Sequence, residues 1–162
     1  MFIFKETSYF LHPFMLYTLA IKLSTMLVNL SKLGKIFIKR PEDVRKIINQ
    51  ILAKKHLFDR EKEYLFAIAL NTVGQVKYID QVSMGSIRGT VAEPREIFRH
   101  AILHGAVSLI IAHNHPSGNS NPSEADKKLT EKLFKAGDIL EIKVLDHVIV
   151  TEDTFYSFTD NM

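Results

Sequence analysis

The stretch AVSLIIAHNHPSGNSNPSEAD, from Ala106 to Asp126, reads as a strand, a loop and the start of a helix. Ala106 to Ala112 is an apolar run of strand length, the pattern of a buried strand. At strand spacing, side chains at i and i+2 point the same way, so His113 and His115 can converge on one ion. Pro116 and Gly118 then break the strand and turn the chain. The polar loop ends at Ser123, just before a helical pattern that carries Asp126 on its first turn. Two neutral imidazole nitrogens and one carboxylate oxygen suit a single Zn²⁺, and three protein ligands leave a fourth position for water. A plainer reading uses the same residues. Ser123 is an acceptable N-cap with acids at the positive end of the helix, and a lone His-x-His often lies on a surface or in a core.

Working outward from this stretch, Pro41, Glu42 and Asp43 open a helix whose apolar positions, Val44, Ile47, Ile48, Ile51 and Leu52, predict a span of about 41–55. Glu63 to Leu70 reads as a strand, Asn71 to Gly74 as a turn and Gln75 to Ser83 as its hairpin partner. Ile87 to Ala92 fits a short third strand, and Pro94 opens a helix to about His104. After the Ala106–Ala112 strand, a helix is expected from Glu124 to Ala136, stopped by Gly137. Ile139 to Val150 reads as another strand and Phe155 to Phe158 as a last one. A hairpin followed by helix, strand, helix and strand implies a mixed sheet flanked by helices, an α/β layered domain.

The 162 residues contain no cysteine. Disulfides, thiolate nucleophiles and Cys-containing zinc sites are therefore excluded, and a reducing cytoplasmic setting is expected. Net charge is +3, unevenly placed: Lys32 to Lys62 holds ten Lys/Arg against four Asp/Glu. That segment is either a solvated helix face or a contact for an anionic partner such as DNA. Neither aromatic interleaving nor a DNA-reading motif accompanies it. Residues 1–34 form an atypical apolar segment, in which Thr7 to Ile21 carry no Lys, Arg, Asp or Glu. These fifteen residues fall short of the about 18–20 that span a bilayer, so the segment is expected to pack on the domain or a partner rather than enter a membrane.

His113-x-His115, seven residues, Ser123, two residues and Asp126 resemble the motif of the JAMM (MPN-type) metalloprotease family. The longer string His113-Asn-His-Pro-Ser-Gly118, then Pro122-Ser-Glu-Ala-Asp126 and Leu145-Asp-His147, is similar to its RadC-like branch, as are Pro94-Arg95-Glu96 and Leu70-Asn71-Thr72. The resemblance runs from about Pro41 to Phe158, within a domain taken as 35–162. It implies a deaminase-like layered fold and a zinc hydrolase acting on a peptide or isopeptide. His113, His115 and Asp126 would be the ligands, and an acidic residue before the hairpin's first strand the general base. Glu63 fits that place, with Glu61 two residues away as the rival. Ser123 would hydrogen-bond the oxyanion.

Other readings remain open at this level. The RadC-like name is attached to DNA repair, so an accessory protein that keeps the zinc fold and touches DNA through residues 32–62 fits the same residues. So does a phosphodiesterase using the same metal. His100 and His104 stand at i, i+4 and could clamp a metal, but no third ligand is evident and a half-buried helix face explains them. Asp146 could orient a ligand imidazole, because ligand histidines usually donate their other N–H to an acceptor. Neither His147 nor His56 receives a role from sequence.

Overall fold

The structure, a computed structural model, describes residues 36–85 and 93–161. Its elements are α1 (Pro41–Leu52), α2 (Leu57–Arg60), β1 (Tyr64–Leu70), β2 (Val76–Met84), α3 (Pro94–Leu103), β3 (Ser108–Asn114), α4 (Glu124–Leu140), β4 (Lys143–Val150) and β5 (Phe155–Ser157), followed by a 3₁₀ turn, Thr159–Asn161. The five strands form one sheet in the order β2-β1-β3-β4-β5. β3 and β4 run parallel across the α4 connection, and the other neighbours are antiparallel. This is the mixed α/β sheet that the element pattern implied.

Apolar side chains leave each face of the sheet and decide what covers it. Phe66, Ile68, Ile110, Ala112, Val148 and Val150 face α1 and bury its Val44 and Ile48. Leu65, Ala67, Leu109 and Ile111 face the other way, against Ile97, Phe98 and Ala101 of α3 and Leu133 of α4. Each fully buried side chain of this size contributes about 1.5–3 kcal/mol. Because both faces are covered, every residue of β1 and β3 is buried, and their sequences read as continuous apolar runs instead of alternating. His113 and Asn114 are the polar end of such a run.

Several boundaries move for identifiable reasons. The first helix ends at Leu52 rather than near 55, and the chain turns into α2, which the sequence reading did not anticipate. The strand expected over 106–112 is Ser108–Asn114. Ala106 cannot start the ladder because its N–H donates to Ala101 O at 2.9 Å, closing α3. His113 is consequently part of the strand itself. The helix expected to stop at Gly137 continues to Leu140, and the strand expected from Ile139 begins at Lys143. Glu141, with φ 56°, ends the helix, and Ile142 N–H donates back to Gly137 O at 3.0 Å. Smaller shifts place the hairpin strands at Tyr64–Leu70 and Val76–Met84 and the last strand at Phe155–Ser157. The short strand expected over 87–92 and the apolar segment 1–34 lie outside the described residues. Among the described residues, no helix is long and apolar enough to cross a membrane.

Gly137 is therefore a close-approach residue and not a stop signal. A Cβ built there would lie 2.7 Å from Ile142 O and 3.1 Å from a Val144 methyl. Gly137→Ala should lower stability by about 1–3 kcal/mol, the usual cost of overpacking. A urea midpoint for Gly137→Ala at or above the wild-type value would contradict this, since an unobstructed helical Gly→Ala change gains about 1 kcal/mol.

Candidate metal centre

Three side chains meet where β3 leaves the sheet. His113 is the penultimate residue of β3, His115 follows the strand, and Asp126 lies on the first turn of α4. His113 Nε2 is 2.9 Å from His115 Nε2 and 3.3 Å from Asp126 Oδ1; His115 Nε2 is 3.7 Å from Asp126 Oδ2. Each offers one ligand atom, all within 4.8 Å of one another, and no other such group of three occurs among the described residues. Atoms bound to one zinc at about 2.0–2.1 Å with tetrahedral angles stand about 3.4 Å apart. The spacing fits.

The hydrogen-bond pattern fixes which atoms are free to bind. Thr130 Oγ1 donates to Asp126 O at 2.7 Å, since a carbonyl can only accept. Its lone pair therefore faces His147 Nδ1 at 2.6 Å, and that nitrogen carries the hydrogen. Burial pushes the His147 pKa well below its ordinary value, so the ring is neutral and Nε2 is an acceptor. His113 Nδ1 must then donate to His147 Nε2 at 2.8 Å, which leaves a lone pair on His113 Nε2. His115 reaches the same state differently. Its Nδ1 donates to Asn119 O at 2.8 Å, leaving Nε2 bare. Both imidazoles thus present acceptor nitrogens to one point.

Asp126 divides its carboxylate. Oδ2 accepts from the Ser123 N–H at 2.8 Å and the Ser123 hydroxyl at 2.6 Å, while Ser123 Oγ accepts from Asp126 N–H, completing a capping box. Oδ1 is buried with no hydrogen-bond partner and faces His113. Burial alone would raise the Asp126 pKa, but the Ser123 N–H and hydroxyl, both donating to Oδ2, favour its charged form. An orphaned buried carboxylate oxygen beside two bare nitrogens is unstable unless a cation joins them. The donor set therefore fits a borderline dication such as zinc.

Glu63 stands just before β1, half-buried. Leu65 pairs with His113, so continuing the strand alternation back by two residues puts Glu63 on the His113 face, at the end of β1 where the histidines lie. Asn114 secures that position: its Oδ1 accepts from Tyr64 N–H at 2.8 Å and its Nδ2 donates to Lys62 O at 3.0 Å. Glu63 O also accepts from Gly85 N–H at 2.9 Å. Glu61 caps α2 and is exposed, two residues farther from the centre.

Other expectations resolve differently. Asp146 does not orient a ligand imidazole. Its oxygens accept from His147 N–H, the Thr159 N–H and hydroxyl, and the Ser157 hydroxyl, tying β4 to the C-terminal turn. The orienting residue is its neighbour His147, whose ring also stacks on Phe158 at 5.1 Å. His100 hydrogen-bonds Asp80 of β2, and His104 is exposed at the end of α3, so the pair does not form a clamp. Among the described residues of the basic 32–62 segment, three side chains are engaged locally. Arg60 donates to two backbone carbonyls, Lys62 pairs with Asp59, and Lys55 donates to Gln81 beneath the Tyr64 ring.

Asn114, Thr130 and Asn119 were missed by sequence reasoning. Asn114 carried one signal: a polar residue between two histidines in a strand must face the opposite side. Thr130 and Asn119 matter only through contacts that folding creates.

A family model described as the RadC-like JAB domain matches residues 38–162. Among curated relatives, a UPF0758 protein of Chlorobium chlorochromatii is 48% identical over 63% of this chain and 46% of its own length. A UPF0758 protein of Flavobacterium johnsoniae is 40% identical over 75% of this chain and 56% of its own. One from Streptococcus gordonii is 39% identical over 87% of this chain and 63% of its own. The chain thus spans about half to under two thirds of the length of the curated relatives it matches. With 125 consecutive positions (38 through 162) matched and the His-His-Asp group assembled, the chain belongs to the RadC-like JAB-domain family, the RadC-like branch of the JAMM/MPN fold.

Proposed function

We propose that this chain is a zinc-dependent amide hydrolase of JAMM type, cleaving a peptide or isopeptide bond. The supporting observation is the convergence of two tautomer-locked imidazoles on an orphaned, buried carboxylate oxygen. His113 Nε2, His115 Nε2 and Asp126 Oδ1 would hold the ion, with one side left for substrate and water. A bound Zn²⁺ supplies Lewis acidity toward an amide carbonyl and toward water, whose pKa it lowers to about 7. Glu63 serves as the general base: it takes the proton of the attacking water and delivers it to the departing amine nitrogen. Its backbone is held by Asn114 and Gly85, so the carboxylate starts from a rigid strand entrance. Ser123 donates its hydroxyl to the carbonyl oxygen as negative charge grows there. To do so the hydroxyl turns away from Asp126 Oδ2, which keeps the Ser123 N–H. A reducing cytoplasm suits a chain without cysteine.

Three measurements test this reading. Purified chain should carry one zinc, and His113→Ala/His115→Ala should carry none by elemental analysis. Glu63→Gln should retain the metal while hydrolysis of a chromogenic amide panel falls by about 10²–10⁴-fold, the range for a lost general base. Full turnover in that variant would end the assignment. His147→Ala should weaken Co²⁺ or Zn²⁺ binding by about 10- to 100-fold in chelator competition, as expected when the partner of a ligand imidazole is removed. His147→Gln, whose amide oxygen can accept from His113 Nδ1, should recover part of that loss.

A further inference from the structure

A cavity of about 660 Å³ adjoins the candidate centre. It opens outside the carboxyl ends of parallel strands β3 and β4, the usual place for ligands in α/β sheets. His115 belongs to both: its ring lines the cavity, and its Nε2 faces Asp126. The volume lies within the range of about 300–1,000 Å³ typical of ligand pockets.

The chemistry of the lining is divided. Leu52, Ala53, Pro116 and Val150 supply an apolar wall, and Glu152 and Asp153 stand exposed in the turn after β4. That turn is pinned: Asn49 Nδ2 donates to Thr151 O and Glu152 O at 3.0 and 3.1 Å, Arg45 donates to Glu152 O, and Thr151 and Thr154 bond each other. The backbone that carries the two carboxylates is therefore held in place, and neither carboxylate has an ion pair among the described residues. Arg60 is the single Lys/Arg side chain in the lining, and its guanidinium is committed to Ala53 O and Lys55 O.

We infer that this cavity seats a cationic side chain, lysyl or arginyl, of a peptide lying across the site. The aliphatic stem rests on Leu52 and Ala53, and the charged head reaches Glu152 and Asp153, the arrangement such amphipathic side chains favour. The place of this side chain beside the cleaved bond rests on the amide-hydrolase reading; the binding itself does not.

The test titrates the ¹⁵N-labelled full chain at low salt with N-acetyl-Ala-Lys-Ala-amide and its Glu counterpart, following the backbone amides of Gly118, Thr151 and Thr154. The lysyl peptide should shift these signals and bind up to about fivefold tighter than the glutamyl one, the size of a screened surface ion pair. Glu152→Lys/Asp153→Lys should reverse that order, and Ala53→Trp, at an exposed helix end, should weaken both peptides by filling the cavity. Signals that stay still, shifts confined to other residues, or equal or tighter binding of the glutamyl peptide would overturn the inference, the last making Arg60 the reader. Zinc content measured on the same preparation separates the two readings. A metal-free chain that still prefers the lysyl peptide retains the cavity and loses the hydrolase; a zinc-loaded chain indifferent to it does the reverse.

Discussion

The two oxygens of Asp126 have different partners, and the candidate centre depends on that division. Oδ2 belongs to the fold: with Ser123 it closes the first turn of α4 and satisfies backbone donors that a helix start leaves unpaired. Oδ1 belongs to the site, buried and facing His113. Because one carboxylate group does both, the start of the helix and the position of the third ligand cannot drift independently. Thr130, one turn on, adds a second tie by bonding Asp126 O and His147 together. A helix terminus, a buried strand and a neighbouring strand are thereby coupled at a single point.

This coupling also explains why the histidines differ in support. His113 is inside the sheet, and its Nδ1 is met there by another buried side chain, His147 on the adjacent parallel strand. His115 has left the sheet and uses a loop carbonyl, Asn119 O. His115 is also among the residues that line the cavity.

The His-His-Asp group was legible because its geometry is local. A strand of period two brings His113 and His115 to one face, and Ser123 marks the helix start that carries Asp126. The layered fold was legible for a related reason: continuous apolar runs require cover on both faces. What escaped depends on contacts between distant segments. Asp146 and His147 are adjacent in sequence and the sequence pointed to Asp146, yet adjacent strand residues face opposite sides, and only the register with Ile111 puts His147 behind His113. Gly137 was misread because a glycine near a helix end suits a stop as well as a close approach, and only the return of Ile142 distinguishes them.

The position of Glu63 joins the two kinds of information. Sequence places an acid before the first hairpin strand but cannot choose between Glu61 and Glu63. The antiparallel register separates their surroundings: residues 65 and 113 are paired, so 63 continues the parity of the His113 face, whereas 61 is already in the α2 cap and exposed. Asn114 makes this register local to the centre, since the residue between the two histidines bonds the backbone on both sides of Glu63. The His-Asn-His string thus works on alternate faces of one strand: the candidate metal-ligating nitrogens on one, and on the other an amide that holds the backbone on both sides of Glu63.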